Sequence, residues 1–346
     1  IKPLKEHLSE SRKLLRDYQE GRLKLVKTNR PWLDAPGGVL RGSIVTILGA
    51  SFSGKTTELE NLREDIMNEE INPESKDYVS LAHAFEMSNF SLTLKDIKKQ
   101  TGKTFKEILG SPFEKEEADN MDKHFDKSAD DRFFVNHDTG LASEITKETI
   151  EFLEANKDKK LCLVSMDHTA LLKSKNDNKK AAIDEMIESF NDMKFKYPNF
   201  LLVILTQANR GVLSRVKEKS NEAKLRRDDI YMSDTIFHIS DYVYGLQNAF
   251  YLGLEEYRKI NPDRYPDLSH RFTEEDSNGR VSLHTEGCIF VEVLKDRMAD
   301  DLDFTDLYSI EIKPFEKKEA TSPTLAVPNF LEESVSNIPS GTIDIL

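Results

Sequence analysis

The chain has 346 residues, enough for one large domain or two small ones with a sizeable core. Its 49 basic and 62 acidic residues give a net charge of −13, which argues against coating nucleic acid with the whole surface but leaves room for a local basic channel. Two cysteines, Cys162 and Cys288, provide neither a disulfide framework nor a zinc spacing.

The N-terminal stretch "IKPLKEHLSESRKLL" is charged throughout and does not read as a signal peptide. The two cysteines without a disulfide framework fit a reducing cytoplasm, and no apolar run is long enough to span a membrane, so no membrane partner is expected. Leu4, Leu8, Leu14, Leu15 and Tyr18 form a thin apolar stripe on an amphipathic helix. Such a stripe docks on a neighbouring subunit or packs on its own domain, and the spacing leaves both open. Residues 1–28 are therefore read as an amphipathic-helix segment ahead of a domain spanning 29–315.

Within that domain, "GGVLRGSIVTILGA" predicts a turn and a strand at 43–48, and a helix follows from Lys55 to about Asn68. A second strand is expected at 78–84, then a helix ending at Gly102. Beyond it lies an acidic stretch of exposed helix and loop, followed by a short strand in "RFFVNHD". "SEITKETIEFLEAN" opens with Ser143 as a helix start. The continuous apolar runs "KLCLVSMD" and "NFLLVILTQ" read as buried strands around the helix "KKAAIDEMIESFNDMKFKY". Later strands are expected in "DYVYGLQNAFYLG", "CIFVEVLKD" and "LYSIEIKPF". Buried strands alternating with amphipathic helices predict an α/β fold, a mostly parallel twisted sheet with helices on both faces. The Pro-, Ser- and Glu-rich residues 316–346 read as a flexible acidic tail, whose last residues "SGTIDIL" have the form of a docking peptide.

Gly49-Ala50-Ser51-Phe52-Ser53-Gly54-Lys55-Thr56 satisfies the G-x-x-x-x-G-K-[ST] pattern between a strand and a helix. Glycines let such a loop wrap closely, and backbone N–H groups at the helix N-terminus face phosphate oxygens. Lys55 is then expected to bridge the β- and γ-phosphates of ATP and Thr56 to ligate Mg²⁺, with Ser51, Ser53 and Thr57 beside the same cradle. Asp167, at the end of an apolar strand, is the expected second metal carboxylate. Glu86 follows the second strand where a hydrolytic base would sit. Gln207 ends another strand, either as a γ-phosphate sensor or as an ordinary hydrogen bond closing the strand.

The segment 210–227 then concentrates Arg210, Arg215, Lys217, Lys219, Lys224, Arg226 and Arg227 against two glutamates, a net of +5. In so acidic a chain this points to contact with nucleic-acid phosphates, with a solvated loop as the plain alternative.

Together these motifs resemble the RecA-like motor domain of DnaB-type replicative helicases, phage-like members included, from about Gly37 to Phe315. "FEMS" at 85–88, "SMDHTALL" at 165–172, "TQANR" at 206–210, "YMSDT" at 231–235 and "VLKDRMADD" at 293–301 carry the likeness. His168 stands where tyrosine is common in the family. The resemblance implies Glu86 as catalytic base and Lys295 and Arg297 as piston and finger reaching the γ-phosphate of an adjacent subunit; without it both read as surface charge. It further implies a P-loop NTPase fold and a homohexameric ring that hydrolyses ATP with Mg²⁺ while moving on single-stranded DNA. A primase, a loader or another replisome protein is implied as partner. Against the family pattern, something like the linker helix is expected at 4–20, without the family's N-terminal primase-interacting domain among these residues. A RecA-type recombinase or mediator, and a nucleotide-dependent structural ring, are the alternatives.

Overall fold

The computed structural model describes residues 4–85, 89–128, 130–137, 141–167, 173, 178–209, 211–218, 224–231, 234–299 and 306–312, all in one unit spanning 1–312. Glu86, Arg210, Lys219 and the tail lie outside the described residues.

In chain order, α1 (Leu4–Gln19) and α2 (Pro31–Asp34) precede β1 (Ser43–Gly49), α3 (Lys55–Met67) and β2 (Tyr78–Ala84). Three helices follow, α4 (Asn89–Thr101), α5 (Phe105–Gly110) and α6 (Lys115–Ser128), then β3 (Phe133–Asn136) and α7 (Ala142–Ala155). The centre continues with β4 (Leu161–Asp167), α8 (Lys179–Lys196), β5 (Phe200–Gln207), α9 (Gly211–Glu218) and α10 (Asp234–Ile239). The last part holds β6 (Tyr242–Gln247), β7 (Glu256–Ile260), β8 (Val281–His284), β9 (Cys288–Asp296) and β10 (Leu307–Glu311).

Eight strands form one sheet in the order β10-β9-β6-β1-β5-β4-β2-β3. The six from β6 to β3 run parallel, β9 runs against them, and β10, antiparallel to β9, runs with them again. Strands β1 and β4 are buried along their whole length and β5 up to its last residue, because both faces of the sheet are covered. Alternate residues divide between two cores. Val45, Ile47, Leu201 and Val203 pack with Trp32, Leu59 and Leu62 on one face. On the other, Ile44, Leu202 and Ile204 pack with Ile145, Ile187 and Phe190 of α7 and α8. Each such side chain contributes about 1.5–3 kcal/mol on burial.

The register fixes the two edges of the sheet. Gly49 pairs with Gln207, Ala84 with Asp167, and Gln247 with Phe290, so these residues share one edge. Ser43, Tyr242 and Asp296 lie at the opposite one.

Several elements depart from the sequence expectation, among them α9, a helix within the segment 210–227 that the sequence reads as a loop. Helix α7 begins one residue before Ser143 with Leu141 at its N-cap, where the Glu144 carboxylate accepts from the Leu141 N–H at 2.9 Å. A glutamate reaching back replaces the expected serine cap. The strand expected through residue 253 stops at Gln247, because Asn248 Oδ1 accepts from the Tyr251 N–H at 3.1 Å and folds the chain into a turn. The antiparallel pair β7–β8, joined through residues 261–280, has no counterpart in the sequence expectation; it builds a satellite core in which Tyr257 stacks on Phe290 at 4.5 Å between centroids. Helix α1 keeps its stripe in the open, with Leu4, Leu8, Leu14 and Leu15 all exposed.

Candidate functional site

The loop after β1 is shaped for a phosphate. Gly54 caps α3 with φ +87 and Phe52 holds φ +63, so the chain turns tightly through the left-handed region twice within three residues. A Cβ on Gly49 would sit 2.3 Å from Ser53 Oγ and 2.9 Å from the Leu246 carbonyl oxygen, so only glycine fits there. Lys55 is buried and its Nζ donates to the carbonyls of Gly49 at 2.8 Å and Ala50 at 2.6 Å, folded over the loop it would serve. Ser53 Oγ is buried with no hydrogen-bond partner among the described residues, a polar atom turned into the cradle. These features fit a bound phosphate chain. Thr56 is half-buried beside Lys55, whereas Ser51 and Thr57 are exposed.

Asp167 closes β4 on the same edge and is buried there. A hydroxyl and a carboxylate are hard oxygen donors, the set that suits Mg²⁺ together with phosphate oxygens and water. Strand β5 lies between β1 and β4, and its last residue, Gln207, donates from Nε2 to Ser51 Oγ at 3.1 Å. The expected sensor therefore touches the phosphate loop directly. The segment after it is tied in as well, since the Tyr231 N–H donates to the Gln207 carbonyl and the Asn209 N–H to that of Asp229.

Lys295 and Arg297 stand elsewhere. Strand β9 runs against β6, and its end lies beside Tyr242 at the edge remote from Gly49. By register Lys295 is level with Thr46 and Asp296 with Val45, so Lys295 and Arg297 stand about 10 and 16 Å from Gly49 along the strands and about 10 Å across two strands. A register shift opposite Val243 and Tyr244 re-aims the strand at this point. Arg297 donates to Asp241 Oδ1 at 3.0 Å and to the His238 carbonyl at 2.7 Å. Lys295 Nζ donates to the carbonyls of Phe237 and His238 at 2.6 and 3.1 Å and lies over the Phe237 ring. Burial, with Arg297 next to it, lowers the Lys295 ammonium to about 8. Asp241 organises the cluster. It accepts from Lys194 at 2.6 and 2.7 Å and from the Ile44 N–H at 2.9 Å. No local pattern marked Asp241, because its partners lie 47, 56 and 197 residues away.

The basic segment is less free than its composition suggests. Arg215 forms a two-pronged pair with the buried Asp229 at 2.7 and 2.6 Å, and Lys224 reaches Asp306 at 3.1 Å. Arg227 is exposed and packs over Phe237, beside His238 Nε2 at 2.9 Å. Arg226 is exposed. Lys217 belongs to α9, and its side chain lies outside the described residues.

Sequence reasoning also passed over a buried ionic network under α3. Arg30 reaches Glu58 at 2.7 Å and Asp65 at 2.6 Å, and Tyr244 donates to Glu58 at 3.3 Å. Burial raises the Glu58 carboxyl above its ordinary value against the pull of Arg30. Glu58 sits one turn past Lys55, and the network fixes the helix on which the cradle depends.

A parallel sheet with a phosphate loop after one central strand, a carboxylate two strands away and an amide between them defines a RecA-like P-loop ATPase. The model of the DnaB-like helicase C-terminal domain matches residues 26–259. A solved ATPase domain is similar in structure, with a TM-score of 0.60 at 14% identity over 88% of this chain and 93% of that one. A DnaB-like replicative helicase, described with its interactions with primase, gives 0.59 at 16% identity over 90% of this chain and 64% of that one. No curated protein matches the sequence. The chain belongs to the DnaB-like helicase C-terminal domain family and is the ATP-hydrolysing motor of a replicative DNA helicase.

Proposed function

We propose that this motor works as a ring of identical subunits, a homohexamer in which each ATP lies between two neighbours, translocating on single-stranded DNA. The observation that carries the reading is the placement of Lys295 and Arg297 about 14 and 19 Å from Gly49 of their own cradle, farther than either side chain reaches. A role at a γ-phosphate then requires a second subunit, and head-to-tail contacts that close into a ring supply one everywhere.

In this reading the backbone of 49–54 and Lys55 hold the phosphates, with Ser51, Ser53 and Thr57 beside them. Thr56 and Asp167 hold Mg²⁺, which supplies charge neutralisation across the phosphates. Glu86 orients the attacking water. Arg297 and Lys295 of one subunit face the charge that develops on the neighbour's terminal phosphate. Gln207 leaves Ser51 for that phosphate, and the change passes through the strand end to 210–231. Arg226 and Arg227 are the exposed cations there, with Arg210, Lys217 and Lys219 in the same segment, and they follow DNA phosphates. Arg215 and Lys224 would support this segment from within. The solved relative described with primase makes a primase, or a loader, the first class of partner to test.

The deciding experiment is unwinding of a forked duplex by the full chain and by Lys55→Ala, with the mass of the assembly measured in ATP. A hexamer that unwinds, and a variant that neither hydrolyses nor unwinds, support the proposal. Single-strand-stimulated hydrolysis without unwinding, or an open filament, favours a recombinase or mediator instead. Assembly in ATP with neither hydrolysis nor unwinding favours a structural ring.

A further inference from the structure

Beside the cradle the chain exposes aromatic surface that the motor cycle above does not use. Phe52, at the tip of the loop, is 72% exposed, and Tyr251 is 58% exposed. Their rings lie 5.0 Å apart with planes 36° from parallel. Phe250 is exposed beside Tyr251 in the chain. Phe52 holds φ +63, a conformation costly for a bulky side chain and easy for glycine. A hydrophobic ring kept in water on strained backbone, next to a ligand site, calls for a partner. Tyr251 is fixed in place by the turn that ends β6, through its bond to Asn248.

We infer that Phe52 and Tyr251 form a stacking platform for the base of the bound nucleoside triphosphate, an inference that rests on the ATPase reading above. Direction is the main argument. Gln207 on β5 and Asp167 on β4 lie on one side of β1, and β6 lies on the other. A triphosphate whose terminal phosphate points toward β5 and β4 extends its nucleoside toward β6. Tyr251 follows that strand by four residues. The Leu246 carbonyl already lies against Gly49, so the end of β6 and the loop adjoin. Ile289 approaches Gly54 from β9 and adds apolar surface on the same side.

Stacking needs a π-face and no hydrogen-bond pattern, so the platform accepts any base and favours the larger face of a purine. Base–aromatic stacking of this kind changes affinity about fivefold to a hundredfold.

The test compares two ligands by calorimetry on the full chain with Mg²⁺, a non-hydrolysable ATP analogue and base-free tripolyphosphate. Phe52→Gly removes the ring and the backbone strain together, and Tyr251→Ala leaves the loop untouched. Each variant is expected to bind the ATP analogue about tenfold more weakly, and Tyr251→Ala, outside the cradle, to bind tripolyphosphate within about twofold of wild type. Equal losses for both ligands in Tyr251→Ala, or an unchanged ATP analogue, overturn the inference, as does an effect confined to the mass of the assembly. A wild type that binds tripolyphosphate as tightly as the ATP analogue overturns the platform and leaves the motor standing. A wild type that binds neither ligand overturns both.

Discussion

Gln207 Nε2 donates to Ser51 Oγ at 3.1 Å, joining the end of β5 to the phosphate loop across 156 residues of chain. Gln207 also holds the Tyr231 N–H through its carbonyl, so one residue bonds to the cradle on one side and to the end of the basic segment on the other.

Gln207→Ala is expected to keep nucleotide affinity within about threefold, since a neutral hydrogen bond contributes only about 0.5–1.5 kcal/mol. Stimulation of hydrolysis by single-stranded DNA should disappear. Binding of a non-hydrolysable analogue and ATPase rates with and without DNA measure the two effects separately. Full stimulation in the variant would remove Gln207 from the coupling route.

Arg297→Ala is expected to lower kcat about 10³-fold or more, the range seen when an arginine supplied to a phosphoryl group is lost. Because the residue lies at the far edge of its own sheet, the defect should belong to the neighbour's site. Rings mixed from Arg297→Ala and Glu86→Ala subunits should recover part of the activity that each homogeneous ring lacks. Mixed rings as inactive as both parents would count against action in trans.

Lys295 carries the pH dependence. Its ammonium, lowered to about 8 by burial and by Arg297, is charged below that pH and neutral above it. If the charge faces a neighbour's phosphate, kcat/KM for ATP falls as pH rises through about 8. Lys295→Arg keeps its charge at every accessible pH and should flatten that alkaline limb. An identical limb in the variant would assign it to another group.

Among the described residues of the basic segment, Arg226 and Arg227 are the exposed cations, Arg227 with Asp234 at 3.7 Å, whereas Arg215 and Lys224 are less exposed and pair with Asp229 and Asp306. Arg226→Ala and Arg227→Ala should each weaken single-strand binding across all sequences and reduce the salt dependence by about one released ion. Arg215→Ala should instead lower stability, by about 3–5 kcal/mol, because it leaves Asp229 buried without its partner. Fluorescence anisotropy at several salt concentrations and urea unfolding distinguish the two outcomes.

Arg30→Met tests the network beneath the cradle. Removing the guanidinium leaves Glu58 buried at 6% exposure, a loss of about 3–5 kcal/mol near neutral pH. The folded-state pKa of Glu58, already raised, rises further without Arg30. A raised carboxyl binds its proton more tightly in the folded state, so the variant's deficit is small below the ordinary glutamate pKa. It grows as pH rises through the folded value. Urea unfolding across that range should show the gap to wild type widening with pH.

Much of the site was legible as chain pattern. The phosphate loop, the strand ends at Asp167 and Gln207 and the parallel core of the sheet are local or periodic signals, because burial on both faces demands unbroken apolar runs and a close turn demands glycine. The end of β6 and the cap of α7 were misjudged, since single side chains, Asn248 and Glu144, decide them. What only the tertiary structure decided is which groups meet. Asp241 gathers Ile44, Lys194 and Arg297, and Arg30 finds Glu58, across separations of 28 to 197 residues that carry no periodicity. The sequence alone determined the glycine-rich turn and Lys55 after β1, where the phosphate site is proposed. The antiparallel course of β9 carried Lys295 and Arg297 to the opposite edge, and strand direction is a property of pairing that composition does not encode.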